Sequence, residues 1–120
     1  MVINVEQQDR VTIVRPTGFV DAVTSSALAG ALNEQLQQGN PFLVLDLDRL
    51  EYMSSAGLRV LLGALRDARR HGGDLRLANA KAEVYQVLEM SGFAKVLTIY
   101  STLAEAVSSY GATTVVGGAA

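Results

Sequence analysis

Short apolar runs of strand length alternate along this chain with segments whose leucines repeat at helical spacing, and few folds accept that alternation. Phe42-Leu43-Val44-Leu45 is the most restrictive of the runs. A continuous apolar stretch of this length suits a central strand buried on both faces. Val2 to Val5 alternates with polar residues, and Val11 to Pro16 is β-branched, so two strands precede it, joined by a turn at Gln8-Asp9-Arg10. The second of them is expected to end near Pro16. Leu75 to Ala78 and Val96 to Tyr100 give the last two strands.

Four helices fall between and after these runs. Leu28, Ala31, Leu32 and Leu36 share one helical face, with Thr24, Ser25 and Ser26 as candidate N-caps and Gly39-Asn40-Pro41 as the stop. Leu58, Leu61, Leu62 and Leu65 make the buried stripe of a second helix that begins near Ser55. Val84, Val87 and Leu88 point inward from a third, which Gly92 closes in a left-handed conformation. Thr102 and Glu105 form a capping box for a fourth. The order ββαβαβαβα predicts an α/β fold, with a mixed, mostly parallel sheet of about five strands and four helices. In such sheets, binding residues collect at the carboxyl ends of strands. That rule places Asp21, Asp46, Asp48 and the Ser54-Ser55 turn on one surface.

Composition narrows the function classes. The 120 residues fit one domain, and 49% hydrophobic against 18% charged residues argues for a packed core. Ten basic and twelve acidic residues leave a net charge of −2, so nucleic acid is not the expected partner. The absence of cysteine excludes disulfides and thiolate metal sites and suits a reducing compartment. No apolar run approaches the ~20 residues of a membrane span. Met1 to Val5 lacks the basic and apolar blocks of a signal peptide, so a cytoplasmic location is expected. No cofactor or metal is expected, because there is no phosphate-binding glycine pattern and only one histidine, His71.

The stretch that could carry chemistry is Tyr52-Met53-Ser54-Ser55-Ala56-Gly57-Leu58. It sets two serines at a helix N-terminus, where backbone amides lack partners and the helix dipole favours negative charge. Serine there is an ordinary cap. A phosphate there would also be accommodated, since it adds about −1.5 to −2 charge where the helix tolerates it.

This motif, with Val44-Leu45-Asp46-Leu47 before it and Arg59-Val60-Leu61-Leu62 after it, resembles the signature of the STAS-domain anti-sigma factor antagonists. Gly18-Phe19-Val20-Asp21 is similar to that family's step before its first helix, and Val84 to Phe93 to its third-helix segment. The resemblance runs from about Val2 to Tyr110, so it implies a STAS domain over residues 1–110 and a flexible tail over 111–120. It implies partner switching. The unphosphorylated protein would bind an anti-sigma factor that is also a serine kinase. Phosphorylation would dissolve the complex, and a serine phosphatase would restore it. The protein would be a substrate, not an enzyme. The phosphoacceptor position falls on Ser55, with Ser54 as a possible second acceptor. Asp21, Ser54, Ser55, Gly57 and Arg59 become the partner-binding residues.

Two departures from the family pattern stand beside Ser55. Ser54 replaces the usual acidic residue, and Ala56 the usual serine or threonine. They leave room for an alternative, a STAS scaffold or adaptor in a sensory or transporter complex without a phosphoswitch. A hydrolase with Ser55 as nucleophile would need a nearby base, and none is evident in the sequence. Asp21 reads equally as a helix cap or a partner contact. Asp46 is expected to organise the loop after its strand, and Asp48 and Glu51 to be solvated. Arg59, Arg66, Arg69 and Arg70 make a basic helix face whose default is solvent. Homodimerisation stays open.

Overall fold

The computed structural model describes residues 1–111; all but the first residue of the tail expected at 111–120 lies outside them. Eleven elements follow in order: β1 (Val2–Gln8), β2 (Val11–Val20), α1 (Ser25–Gln37), β3 (Phe42–Asp46), β4 (Leu50–Met53), α2 (Ser55–Arg70), β5 (Asp74–Ala78), α3 (Ala82–Met90), a 3₁₀ turn (Phe93–Lys95), β6 (Thr98–Tyr100) and α4 (Leu103–Ser108). The sheet runs β1-β2-β3-β5-β6, with β4 against the far end of β2. Among the described residues, only the β1–β2 hairpin is antiparallel. The other pairings are parallel, as the strand-helix alternation requires.

Among the described residues the sheet has six strands, one beyond those that the sequence pattern marks. Leu50-Glu51-Tyr52-Met53 is buried, exposed, exposed and buried in turn, so it carries no two-residue period. Its strand character comes from pairing with Gly18 to Val20, a contact that no local pattern announces. Pro16 does not end β2. It stands opposite Ile3 in the antiparallel ladder with β1, and between the two parallel ladders, Thr12 to Val14 on β3 and Gly18 to Val20 on β4, so neither parallel ladder needs an N–H from it. Val96 and Leu97 belong to the turn before β6, where the Leu97 amide donates to the Phe93 carbonyl at 2.9 Å.

Two apolar cores flank the sheet. The larger joins Val14, Leu43, Leu45, Leu75 and Leu77 to the leucines of α1, α2 and α3. The smaller lies on the other face, where Val11, Ile13, Val44 and Ala78 meet Ala106 and Tyr110. The run Leu43-Val44-Leu45 serves both cores and is fully buried, which explains its unbroken apolar character. The expected terminators are in place: Gly92 has φ +86°, and Thr102 and Glu105 close a reciprocal capping box.

Candidate functional site at the start of helix α2

The carboxyl ends of β2 and β4 lie side by side, and the helices that follow them start there. The Ser54 amide donates to the Val20 carbonyl at 2.8 Å. Asp21, the next residue, therefore adjoins the N-terminus of α2. The two serines have separate positions. Ser54 is the N-cap, in extended conformation, and its Oγ accepts from the Ala56 amide at 3.2 Å. Ser55 is the first helical residue. It is exposed, and its hydroxyl makes no hydrogen bond among the described residues.

Asp21 is occupied by its own turn. Its Oδ1 accepts from the amides of Val23 and Thr24, each at 2.9 Å, and lies 3.1 Å from the Thr24 hydroxyl. These bonds, those from Thr24 first, hold its carboxyl below the usual aspartate range. Thr24 holds the N-cap position of α1, but its hydroxyl turns back, accepting from the Asp21 amide and lying 2.7 Å from the Phe19 carbonyl. Asp21 is thus a turn-organising residue at the rim of the Ser55 surface.

Gly57 faces inward. A Cβ there would come within 2.7 Å of both Met53 and Val20 side chains. Its missing side chain lets α2 approach the strand ends, and it contributes nothing to the exposed surface. Arg59 is exposed one turn beyond Ser55, at the mouth of a groove between α1 and α2.

Asp46 does not reach this surface. It sits level with Arg15 on β2, five residues before Val20, or roughly 16 Å along the strand. Its Oδ2 takes Arg15 Nε at 3.1 Å, while Oδ1 accepts from Asn79 Nδ2 at 3.0 Å and the Asp48 amide at 3.2 Å. It orders the following loop, as expected, and also ties β2 to the end of β5. Asp48 and Glu51 are both exposed, as expected, and Glu51 also pairs with Lys81 at 2.6 Å. His71 is at the opposite end of α2 from Ser55, roughly 24 Å along the helix. It is therefore no base for that hydroxyl.

An apolar patch beside Ser55 escaped the sequence reading. Phe19 and Tyr52 are register partners on β2 and β4, 59% and 48% exposed, and Val23, in the Asp21 turn, is 82% exposed. Exposed aromatic residues gathered at one place mark contact surfaces. The only sequence signal was the apolar Phe19-Val20 and Tyr52-Met53 pairs, of which one member must face out of each strand.

Comparison with known proteins places the chain in a family and matches its fold. The STAS domain family model matches residues 2–106. BtrV of Bordetella bronchiseptica, a candidate anti-sigma factor antagonist, is 33% identical over 110 residues, covering 92% of this chain and 95% of its own. The anti-sigma F factor antagonist of Paenibacillus polymyxa is 33% identical over 99 residues, 82% of this chain and 85% of its own. The crystal structure of an anti-sigma factor antagonist from Mycobacterium paratuberculosis superimposes with a TM-score of 0.82 at 28% identity, covering 90% of this chain and 92% of that one. The family match over nearly the whole chain and the two relatives at 33% identity agree, and the chain belongs to the STAS domain family of anti-sigma factor antagonists.

Proposed function

We propose that this protein is a phosphorylation-controlled anti-sigma factor antagonist. In its unphosphorylated form it binds a kinase-type anti-sigma factor through the surface around Ser55, and so releases a sigma factor in the cytoplasm. Phosphorylation of Ser55 by that kinase ends the complex, and a serine phosphatase restores it. The protein is a regulatory binding module and a kinase substrate, not a catalyst. The names of its relatives support the antagonist role.

The observation that carries the phosphoswitch is the division between the two serines. Ser54 spends its side chain on capping, while Ser55 presents a free hydroxyl to solvent. Ser55 can therefore gain a phosphate without costing the helix its cap. The neighbouring Phe19, Val23 and Tyr52 supply apolar anchors for a partner, with Asp21 and Arg59 at the rim. An unpaired dianion trapped in such an interface is strongly unfavourable. A hundredfold loss of affinity needs only about 2.8 kcal/mol.

Incubation with the cognate kinase and ATP is expected to add one phosphate, and Ser55→Ala to abolish it. Ser55→Asp is expected to keep the native circular dichroism spectrum and to bind the anti-sigma factor about a hundredfold more weakly. A folded Ser55→Asp protein that binds as tightly as wild type would sink the switch. Absence of any phosphate on Ser55 would leave a scaffold without one.

A further inference from the structure

The opposite end of α2 carries a second feature that the Ser55 surface does not use. Leu62, Leu65, Arg66, Arg69 and Arg70 of α2 meet Val96, at the exit of the 3₁₀ turn, around a depression of about 460 Å³. Leu65 is buried, Leu62 is half-buried against the larger core, and Val96 is 44% exposed. The floor is therefore apolar and open to solvent.

The rim is cationic. Arg66 is exposed and has no ion pair among the described residues. Arg69 spends its Nε on Asp74 at 3.1 Å, and Arg70 one terminal nitrogen on Asp67 at 3.3 Å. A guanidinium carries five N–H donors, so each keeps free donors facing solvent. Lys95, exposed beside Val96, adds a further charge. Three of the chain's ten basic residues line this one depression, in a protein whose net charge is −2.

We infer that this depression is a second protein-docking site, and that its occupant is an acidic amphipathic peptide segment. An apolar side chain of the partner fills the space between Leu62, Leu65 and Val96. Carboxylates on either side of it pair with Arg66, Arg69 and Arg70. Charge complementarity selects an acidic occupant, because the rim offers donors in the forked geometry that carboxylates accept. The concave shape selects a protruding side chain over a flat lipid surface, which is engaged by apolar residues that project outward. Arg66, Arg69 and Arg70 recur at helical spacing along one face, which suits a ligand lying along α2.

The test uses the whole protein and a fluorescein-labelled helical peptide with a leucine face flanked by glutamates. A control peptide replaces each glutamate with lysine. The acidic peptide is expected to bind and the lysine peptide to bind at least tenfold more weakly, with amide shifts concentrated at Leu62, Leu65 and Val96. Arg66→Glu combined with Arg70→Glu, both at exposed positions, is expected to lower affinity at least tenfold. Leu62→Gln is expected to lower it several-fold while the arginines remain. Ser55→Asp is expected to leave binding unchanged, which separates this site from the phosphoswitch. The inference is overturned by no binding, by equal binding of the two peptides, by unchanged affinity in the arginine variant, or by shifts centred on Ser55. Binding to phosphatidylglycerol vesicles without binding to the peptide would also overturn it and assign the face to a membrane.

Discussion

Ser54 and Ser55 are chemically identical and mechanically distinct. Removing the Ser54 hydroxyl orphans the Ala56 amide, so Ser54→Ala is expected to cost about 1 kcal/mol of stability. Ser55→Ala removes no bond and is expected to stay within about 0.5 kcal/mol of wild type. Paired urea titrations check both; equal losses would mean that the two serines share the cap. Asp21 has its own signature. Its folded pKa lies below the ordinary value, held there by bonds from Thr24 and then Val23. The turn's contribution is therefore complete above the unfolded pKa of about 3.9 and is lost as pH falls through the lower folded value. Val23 and Thr24 amide shifts, followed from pH 7 downward, should titrate with a midpoint below that of a free aspartate. In Asp21→Asn that transition should vanish. The serines and Asp21 were visible in the sequence because caps and turns are local. Which serine caps was not, since both fit the same few positions and only backbone geometry decides.

At the scale of elements, the site depends on a pairing between strands that are distant in sequence. The carboxyl end of β2 reaches β4 because β2 continues past Pro16, and that continuation sets Phe19 beside Tyr52. Neither residue stands out alone, so the apolar patch became legible only with the register. Asp46 fails in the opposite direction. A strand-end aspartate was expected at the site, but β3 is short and ends level with the middle of β2. Its carboxylate is a cross-sheet tie. Asp46→Ala leaves Arg15 Nε, Asn79 Nδ2 and the Asp48 amide without this acceptor and is expected to cost about 2 kcal/mol. The Asp48 amide should also exchange faster with deuterium. A loss below about 0.5 kcal/mol would show that Glu6, which holds Arg15 at 2.6 Å, suffices alone.

The whole molecule is two unequal packings on one sheet. The larger core was readable from leucine spacing, since α1, α2 and α3 each declare an inward face. The smaller was not, because α4 has six residues and its anchor, Tyr110, lies beyond it. The Tyr110 hydroxyl sits 2.7 Å from the Leu43 carbonyl and 2.9 Å from that of Asp74, and its ring lies edge-on to Phe42 and under Arg76. Burial pushes the phenol well above its usual range. Tyr110→Phe is expected to cost about 1 kcal/mol, and Tyr110→Ala about 3 kcal/mol, by urea denaturation. Equal losses would assign the whole effect to the hydroxyl. This anchor also sets a timetable for synthesis. Val11, Ile13 and Val44 need Tyr110 to cover their face, yet they leave the ribosome long before it. At about 5–20 residues per second, Val44 waits roughly 3 to 13 s for the tyrosine to be made. During that interval the nascent sheet shows an uncovered apolar face, and the growing chain is then a natural client for a ribosome-associated chaperone.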